Sequence, residues 1–301
     1  MNSRKGILYT LCFVCVALSM FLYSKHLLDI DETMDEIPEN FSITGQIIVL
    51  PTEEELVSLE KDYQELSNYF ERIEQLDNDI TAFYNDVVSS PTCRIANINF
   101  NKLNAYYNQF KSDLNEVENC ISLYSSKYNS YLNIISSIPK FSLSHDEKYN
   151  EFIERFGADY ETAETYIVEE GDLNDLYLEA KQFADDFFYS TYDLYCHIVN
   201  AEGGNQPADE QYDIAGTLDN RIVHPEFPNT LYEVIHAPNQ YAPVESGSIN
   251  KEPPESVKEN MRLYLRGLVE HYIPSNVVYQ AQFKQGRIYR HRPGGNIFCY
   301  Y

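Results

Sequence analysis

The sequence has no tryptophan among its 301 residues and is short of bases: 22 Lys and Arg stand against 47 Asp and Glu, a formal net charge of −25. That deficit leaves no basic face for a phosphate backbone and argues against nucleic acid as a partner. The imbalance is uneven. Residues 1–189 hold 34 of the acids and 13 of the bases, whereas residues 190–301 are nearly balanced. Several chemical signatures are also missing. There is no His-Glu-x-x-His, and His197 precedes Glu202 by five residues rather than at the helical i, i+4 spacing of paired zinc ligands. There is no Gly-x-Ser-x-Gly to present a nucleophilic serine. The six cysteines show no metal spacing: Cys12 and Cys15 sit in an apolar run, and Cys93, Cys120, Cys196 and Cys299 are spread along the chain. Bridges 93–120 and 196–299 are one option outside the cell, and buried free thiols are the other. No metal and no cofactor are expected.

Long hydrophobic runs are absent except at one place. Residues 6–24 carry no charge and reach about the ~20 residues needed to span a bilayer. Arg4 and Lys5 precede the run and hold the N-terminus inside. No small-x-small cleavage site follows, so residues 1–25 read as an uncleaved signal anchor, with a cleaved signal peptide as the alternative. Either puts the remainder outside the cell; the anchor makes a single-pass protein of the cell membrane. Residues 26–51 are acidic and irregular, a linker. Residues 52–185 read as a helical spacer. Leu59, Tyr63, Leu66, Phe70, Ile73, Ile80 and Val87 recur at a coiled-coil-like spacing, and Phe100, Leu103, Tyr107, Phe110, Leu114, Val117, Ile121 and Tyr124 line a second helix. Ser89-Ser90-Pro91 turns one into the other. Such a hairpin serves as a stalk or binds a protein partner. Residues 145–185 continue as helix, with breaks expected near Gly157 and Gly171.

Residues 186–301 make the last domain. Helical runs at 209–221, 228–236 and 255–271 alternate with Pro- and Gly-marked loops. The tail has β-prone runs at 277–279, 288–289 and 297–301, and Gly294-Gly295-Asn296 suits a tight turn between the last two. The expected class is mainly α, with a small β-hairpin at the end.

One stretch of this domain carries the chemistry. The apolar run from Tyr195 brings a single acid, Glu202, to its end, where Gly203 and Gly204 and then Pro207 stop a helix. The negative end of the helix dipole and partial burial both disfavour a carboxylate there, so a raised pKa is expected. An acid kept protonated near neutral pH is what general-acid catalysis requires. Asn205 in the same loop, Asn220 at a helix end, Gln240 and Tyr241 in a polar-aromatic loop, and Gln280 or Gln282 on a strand-like run are candidate substrate-binding residues. Lys284, Arg287, Arg290, His291 and Arg292 form the one basic cluster, either a contact for anionic polymer or a solvated hairpin.

The order of these pieces resembles the SleB-type cell wall hydrolases, a group of peptidoglycan glycosidases. Ala201-Glu202-Gly203-Gly204-Asn205-Gln206 matches the Ala-Glu that opens a Gly-containing loop, Asn220-Arg221 the Asn-Arg that ends a helix, and His224-Pro225-Glu226-Phe227-Pro228 the Pro-x-Phe-Pro segment. Val234-Ile235, Gln240-Tyr241 and Gly295-Asn296-Ile297-Phe298-Cys299 follow in the same order. The loop also looks like that of the wider lysozyme-like and lytic transglycosylase group. The resemblance covers the last third of the chain. It implies a lysozyme-like α+β domain, peptidoglycan glycan strands as substrate and Glu202 as the catalytic acid. Many relatives carry a second Glu where Gln206 stands here. With no obvious second carboxylate, a lytic transglycosylase is expected; an N-acetylmuramidase, with Asp209, Glu210 or Asp213 as second acid, and a non-catalytic glycan-binding surface protein are the alternatives.

Overall fold

The computed structural model describes residues 41–43, 46–138, 140, 143–167, 170–291 and 293–301. The anchor expected at 1–25 and the linker up to residue 40 lie outside the described residues. Among the described residues, no helix is long and apolar enough to cross a membrane. The chain divides into two compact units, residues 1–50 and 51–301. In the first, β1 (Phe41–Ile43) and β2 (Gln46–Ile48) pair antiparallel, with Phe41 opposite Ile48. The linker is therefore not irregular throughout: isoleucine and phenylalanine at 41–48 favour pleated backbone over coil.

The second unit begins with two long helices, α1 (Glu53–Val88) and α2 (Cys93–Ser136). Thr52 starts α1 with a reciprocal capping box to Glu55, and three acids in the first turn suit the positive end of the dipole. Thr92 caps α2. The pair is antiparallel: Asp86 meets Asn99, Arg72 meets Asp113, and Asp62 meets Lys127. Leu59, Leu66, Ile73, Ile80 and Val87 face Leu103, Phe110 and Val117 in a dry seam. The hairpin does not stand alone, however. Helices α3 (Leu143–Thr165) and α4 (Glu170–Gly203) pack on it one after the other, α3 along the part near Glu60 and Tyr128 and α4 along the part near Tyr84 and Tyr107, so that together they form the third layer of a three-helix bundle. Phe70 and Tyr107, which their spacing puts with the seam, and Tyr128 turn to the added helices instead. Phe70 stacks on Tyr166 at 3.7 Å, Tyr107 on Tyr177 at 4.3 Å, and Tyr128 on Tyr160 at 4.0 Å. An apolar face wider than one stripe recruits more helices than a two-stranded coil uses. Helix α3 runs unbroken through Gly157, contrary to expectation. One glycine costs about 1 kcal/mol in a helix interior, which burial of Phe152 and Phe156 outweighs.

Helix α4 spans 34 residues, about 50 Å, and passes through the expected domain boundary at 185/186 without a break. The C-terminal third is bolted to the bundle by two arginines. Arg94 donates to the carbonyls of Tyr264 (2.6 Å), Val269 (3.0 Å) and His271 (3.3 Å). Arg266 bridges Asn97 (3.0 Å) and Asp185 (2.6 Å) and lies over the Phe188 ring. This third contains α5 (Ala208–Val223), α6 (Leu231–His236), α7 (Ala242–Ser246), a short 3-10 turn and α8 (Glu255–Leu265). Beyond the expected hairpin of β4 (Ile288–His291) and β5 (Ile297–Tyr300), β3 (Val277–Ala281) joins the other edge of β5, giving an antiparallel three-stranded sheet in the order β3-β5-β4. Helix α5 is buried at its centre by Ile198 and Val199 of α4, Met261 and Leu265 of α8, and Val277 and Phe298 of the sheet.

The four described cysteines are free. A 93–120 bridge is impossible, because both residues lie on α2, separated by 27 residues of helix or roughly 40 Å. Burial pushes the Cys93 thiol up to about 12 and the Cys196 thiol to about 11, which makes them inert packing groups.

Candidate active site

Glu202 is the penultimate residue of α4. The helix stops there, but not through a left-handed cap: neither following glycine has a positive φ. The glycines are needed for space. A Cβ on Gly204 would lie 2.7 Å from the Asn200 carbonyl, and one on Gly203 would lie 2.6 Å from Ile214 of α5. The chain turns tightly against α5, leaving Glu202 half-buried where α4, α5 and β3 meet.

Three groups surround its carboxyl. Gln280 on β3 donates from Nε2 to Oε2 at 3.4 Å. The Arg221 guanidinium of α5 is close enough to favour the anion, and Tyr241 is close enough to feel its charge. Burial nevertheless dominates and raises the Glu202 pKa above the ordinary carboxylate value, against the opposing pull of Gln280 and Arg221. Arg221 is only 3 % exposed, anchored by its Nε on the Val278 carbonyl at 2.6 Å and sandwiched near the rings of Phe227 (5.2 Å) and Tyr241 (5.1 Å). Asn239, in the left-handed region at φ 62°, turns the chain so that Tyr241 enters the core while Gln240 stays exposed. Burial holds the Tyr241 phenol neutral, up to about 12. The Tyr241 hydroxyl lies against the Arg221 guanidinium, and Gln280 Oε1 is buried without a hydrogen-bond partner among the described residues. Such a group is costly unless something pairs with it. The convergence of these polar groups on one half-buried acid marks a place built to receive a polar ligand.

The loop after Glu202 is held from two sides. Asn296 donates from Nδ2 to the Glu202 carbonyl at 3.4 Å and from its backbone N to Glu210 Oε1 at 2.8 Å. A Cβ on Gly295 would sit 2.5 Å from both Glu210 carboxylate oxygens, so this position has room only for glycine. Gln211 donates to the carbonyls of Gln206 (2.9 Å) and Gly204 (3.4 Å) and accepts from Asn260 of α8. Gln206 itself reaches back to the Gly294 carbonyl at 3.3 Å.

The structure thus gathers Glu202, Gln280 and Tyr241 with Arg221, the second member of the Asn220-Arg221 pair. It places the other expected residues elsewhere. Asn220 is buried, its amide bonded to the carbonyls of Pro274 (2.8 Å) and Val277 (2.9 Å), where it braces the lead into β3. Asn205 and Gln240 are exposed, and Gln282 is exposed beyond the end of β3. The acids on α5 are engaged: Asp209 Oδ1 accepts from the Glu210 backbone, Glu210 holds Asn296, and Asp213 accepts from His271 (2.9 Å) and Arg290 (2.6 Å). The basic cluster is partly consumed in this way, and Arg287 stacks on Tyr300. His197 faces the Ile249 carbonyl at 2.7 Å, and no group of three or more metal-binding side chains occurs among the described residues.

No curated protein and no solved structure matches the chain. A family model does, and it runs from three residues after Glu202, through α5 and the following loops, to the first residue of β5: residues 205–297 match the cell wall hydrolases, and the C-terminal third of this chain carries a cell wall hydrolase domain.

Proposed function

We propose that the protein is an exported, membrane-anchored peptidoglycan glycosidase that cleaves the MurNAc–GlcNAc bond as a lytic transglycosylase, with Glu202 as its one catalytic carboxyl. The observation that carries this reading is a single half-buried acid of raised pKa, faced by polar groups of Arg221, Tyr241 and Gln280, with no second carboxylate acting on it among the described residues. Glu202 donates its proton to the glycosidic oxygen as the bond to C1 breaks, and its carboxylate then accepts the proton of the MurNAc C6 hydroxyl as that oxygen closes on C1. The product is a 1,6-anhydro sugar, and no water is consumed. A hydrolase would need a second acid to activate water or attack C1. Asp209, Glu210 and Asp213 all have structural partners. Gln280 and Arg221 favour the carboxylate after proton transfer, and burial favours the acid before it, which suits a group that must do both jobs. The uncharged run at 6–24 supports the anchor and the export direction; a protease added to intact cells should then digest the C-terminal third.

The decisive test is mass spectrometry of muropeptides released from purified peptidoglycan by the full chain, beside Glu202→Gln. Anhydro-muropeptides from the wild type and none from the variant are expected. Reducing-end products would instead make the protein an N-acetylmuramidase, and binding without products would make it a glycan-gripping surface protein.

A further inference from the structure

An open groove on the C-terminal third does not contain Glu202. It has a volume of about 810 Å³ and lies between the end of α5, the loop that follows it and α6. That volume lies in the upper part of the range for ligand sites. The groove and the acid are connected through one side chain: Phe227 lines the groove and packs on the Arg221 guanidinium, which in turn influences Glu202. Pro225, Pro228 and Pro238 give the groove rigid walls. Its floor carries an aromatic platform. Tyr232 and His236, one turn apart on α6, stack with centroids 4.0 Å apart and planes 20° apart, and Tyr232 is 63 % exposed. Tyr232 also borders a second cavity of about 240 Å³, lined on its far side by Ser190 and Thr191 of α4, so the concave surface continues past the platform.

The chemistry of the lining selects the occupant. No Lys or Arg lines the groove, and its one acid, Glu233, accepts from the Thr230 hydroxyl at 2.8 Å. An anion such as a phosphate finds no cation there. The two imidazoles differ in what they offer. His224 Nδ1 accepts from the Glu226 backbone, which leaves its Nε2–H to donate. His236 Nδ1 faces the Tyr232 carbonyl at 2.8 Å, which leaves its Nε2 to accept. An exposed flat ring, stiff walls, and one neutral donor with one neutral acceptor match the apolar face and the hydroxyl or acetamido edge of a pyranose. The geometry points to this groove as an extended glycan subsite: the strand whose bond is cleaved at Glu202 runs past Arg221 and Phe227 and rests sugar rings on Tyr232 and His236. This inference rests on the glycosidase reading and adds to it the side of the molecule along which the strand lies.

The test uses the full chain carrying Glu202→Gln, so that binding is read without cleavage, with intact peptidoglycan and a GlcNAc hexamer as probes. Tyr232→Ala should weaken binding of both about fivefold, whereas Tyr232→Phe, which keeps the ring, should retain it. With Glu202 restored, Tyr232→Ala should raise KM with kcat little changed, because the ring grips substrate and transition state alike. Tyr232 is exposed, so circular dichroism of each variant should match the parent. Cleavage by the wild type with equal affinity and KM for Tyr232→Ala would overturn the subsite and leave the glycosidase standing. Failure of the wild type to cleave and of Glu202→Gln to bind any glycan would overturn both.

Discussion

Glu202 illustrates how two opposed influences set one acid. Burial favours its neutral form, and Gln280 and Arg221 favour its charged form. Removing a group that favours the anion must raise the pKa further. Gln280→Leu should therefore move the alkaline limb of the pH dependence of kcat/KM to higher pH, since that limb reports loss of the protonated acid in the free enzyme. An unmoved limb would remove Gln280 from the site. How far such residues can be recognised without a structure depends on the kind of information needed. Glu202 is legible because a helix stop, a lone acid and two glycines are all local. Gln280 is half legible: strand alternation separates it from Tyr279 but does not say which face meets the acid. The Asn220-Arg221 pair is half legible for a similar reason. Successive helical residues point about 100° apart, so one of two neighbours faces the site, and only the packing of α5 decides that it is Arg221. The polar groups of Arg221, Tyr241 and Gln280 come from three places far apart in sequence, and no spacing rule brings them together.

At the scale of elements, the periodic seam between α1 and α2 is readable from Leu59 to Val87 because a heptad-like pattern repeats over many turns. What is not readable is the destination of the aromatic residues along those helices. Phe70, Tyr107 and Tyr128 find partners on α3 and α4, turning an expected stalk into a bundle fused to the hydrolase domain. Arg94 is the clearest instrument of that fusion. It sits in the first turn of α2, lies 4.2 Å over the Tyr264 ring, and satisfies three carbonyls at and beyond the end of α8. Carbonyls at a helix end have no partner within the helix, and a half-buried charge removed from such a set leaves them unpaired. Arg94→Met, which keeps much of the packing length, should cost on the order of 3 kcal/mol in urea unfolding and lower the rate of peptidoglycan cleavage. Equal stability and activity would mean that the bundle is only a spacer. The same reasoning predicts that the C-terminal third expressed from residue 186 onward will be poorly folded, since both Arg94 and Asp185 would be lost.

At the scale of the whole molecule, one buried acid makes stability depend on pH in an unusual direction. Asp219 of α5 lies among α4, α8 and, through Arg94, α2. Its carboxyl accepts from the hydroxyls of Tyr195 and Tyr264. Burial raises its pKa from 3.8 to about 6, although both tyrosines and Arg94 pull the other way. A carboxyl whose folded pKa lies above its unfolded value binds its proton more tightly when folded. Its contribution to stability is complete below about pH 4 and is lost as pH rises through about 6. A shift of about two units corresponds to about 3 kcal/mol. Glu60, Glu252 and Glu259, lowered by Arg155, Lys258 and Arg262, act in the opposite sense, but they are exposed and weakly coupled. The net charge of −25 adds self-repulsion that also grows as carboxyls ionise. The folded chain should therefore lose thermal stability between about pH 4 and pH 6.5, and the loss due to Asp219 should level off above that. Asp219→Asn isolates the cause, because an amide fills the same space and still offers Tyr195 or Tyr264 an acceptor but cannot ionise. The difference in Tm between Asp219→Asn and the wild type should move in favour of the variant as pH is raised from about 4 to 7. A difference that stays constant over that range would mean that Asp219 is ionised throughout, and that its two tyrosines and Arg94 outweigh its burial.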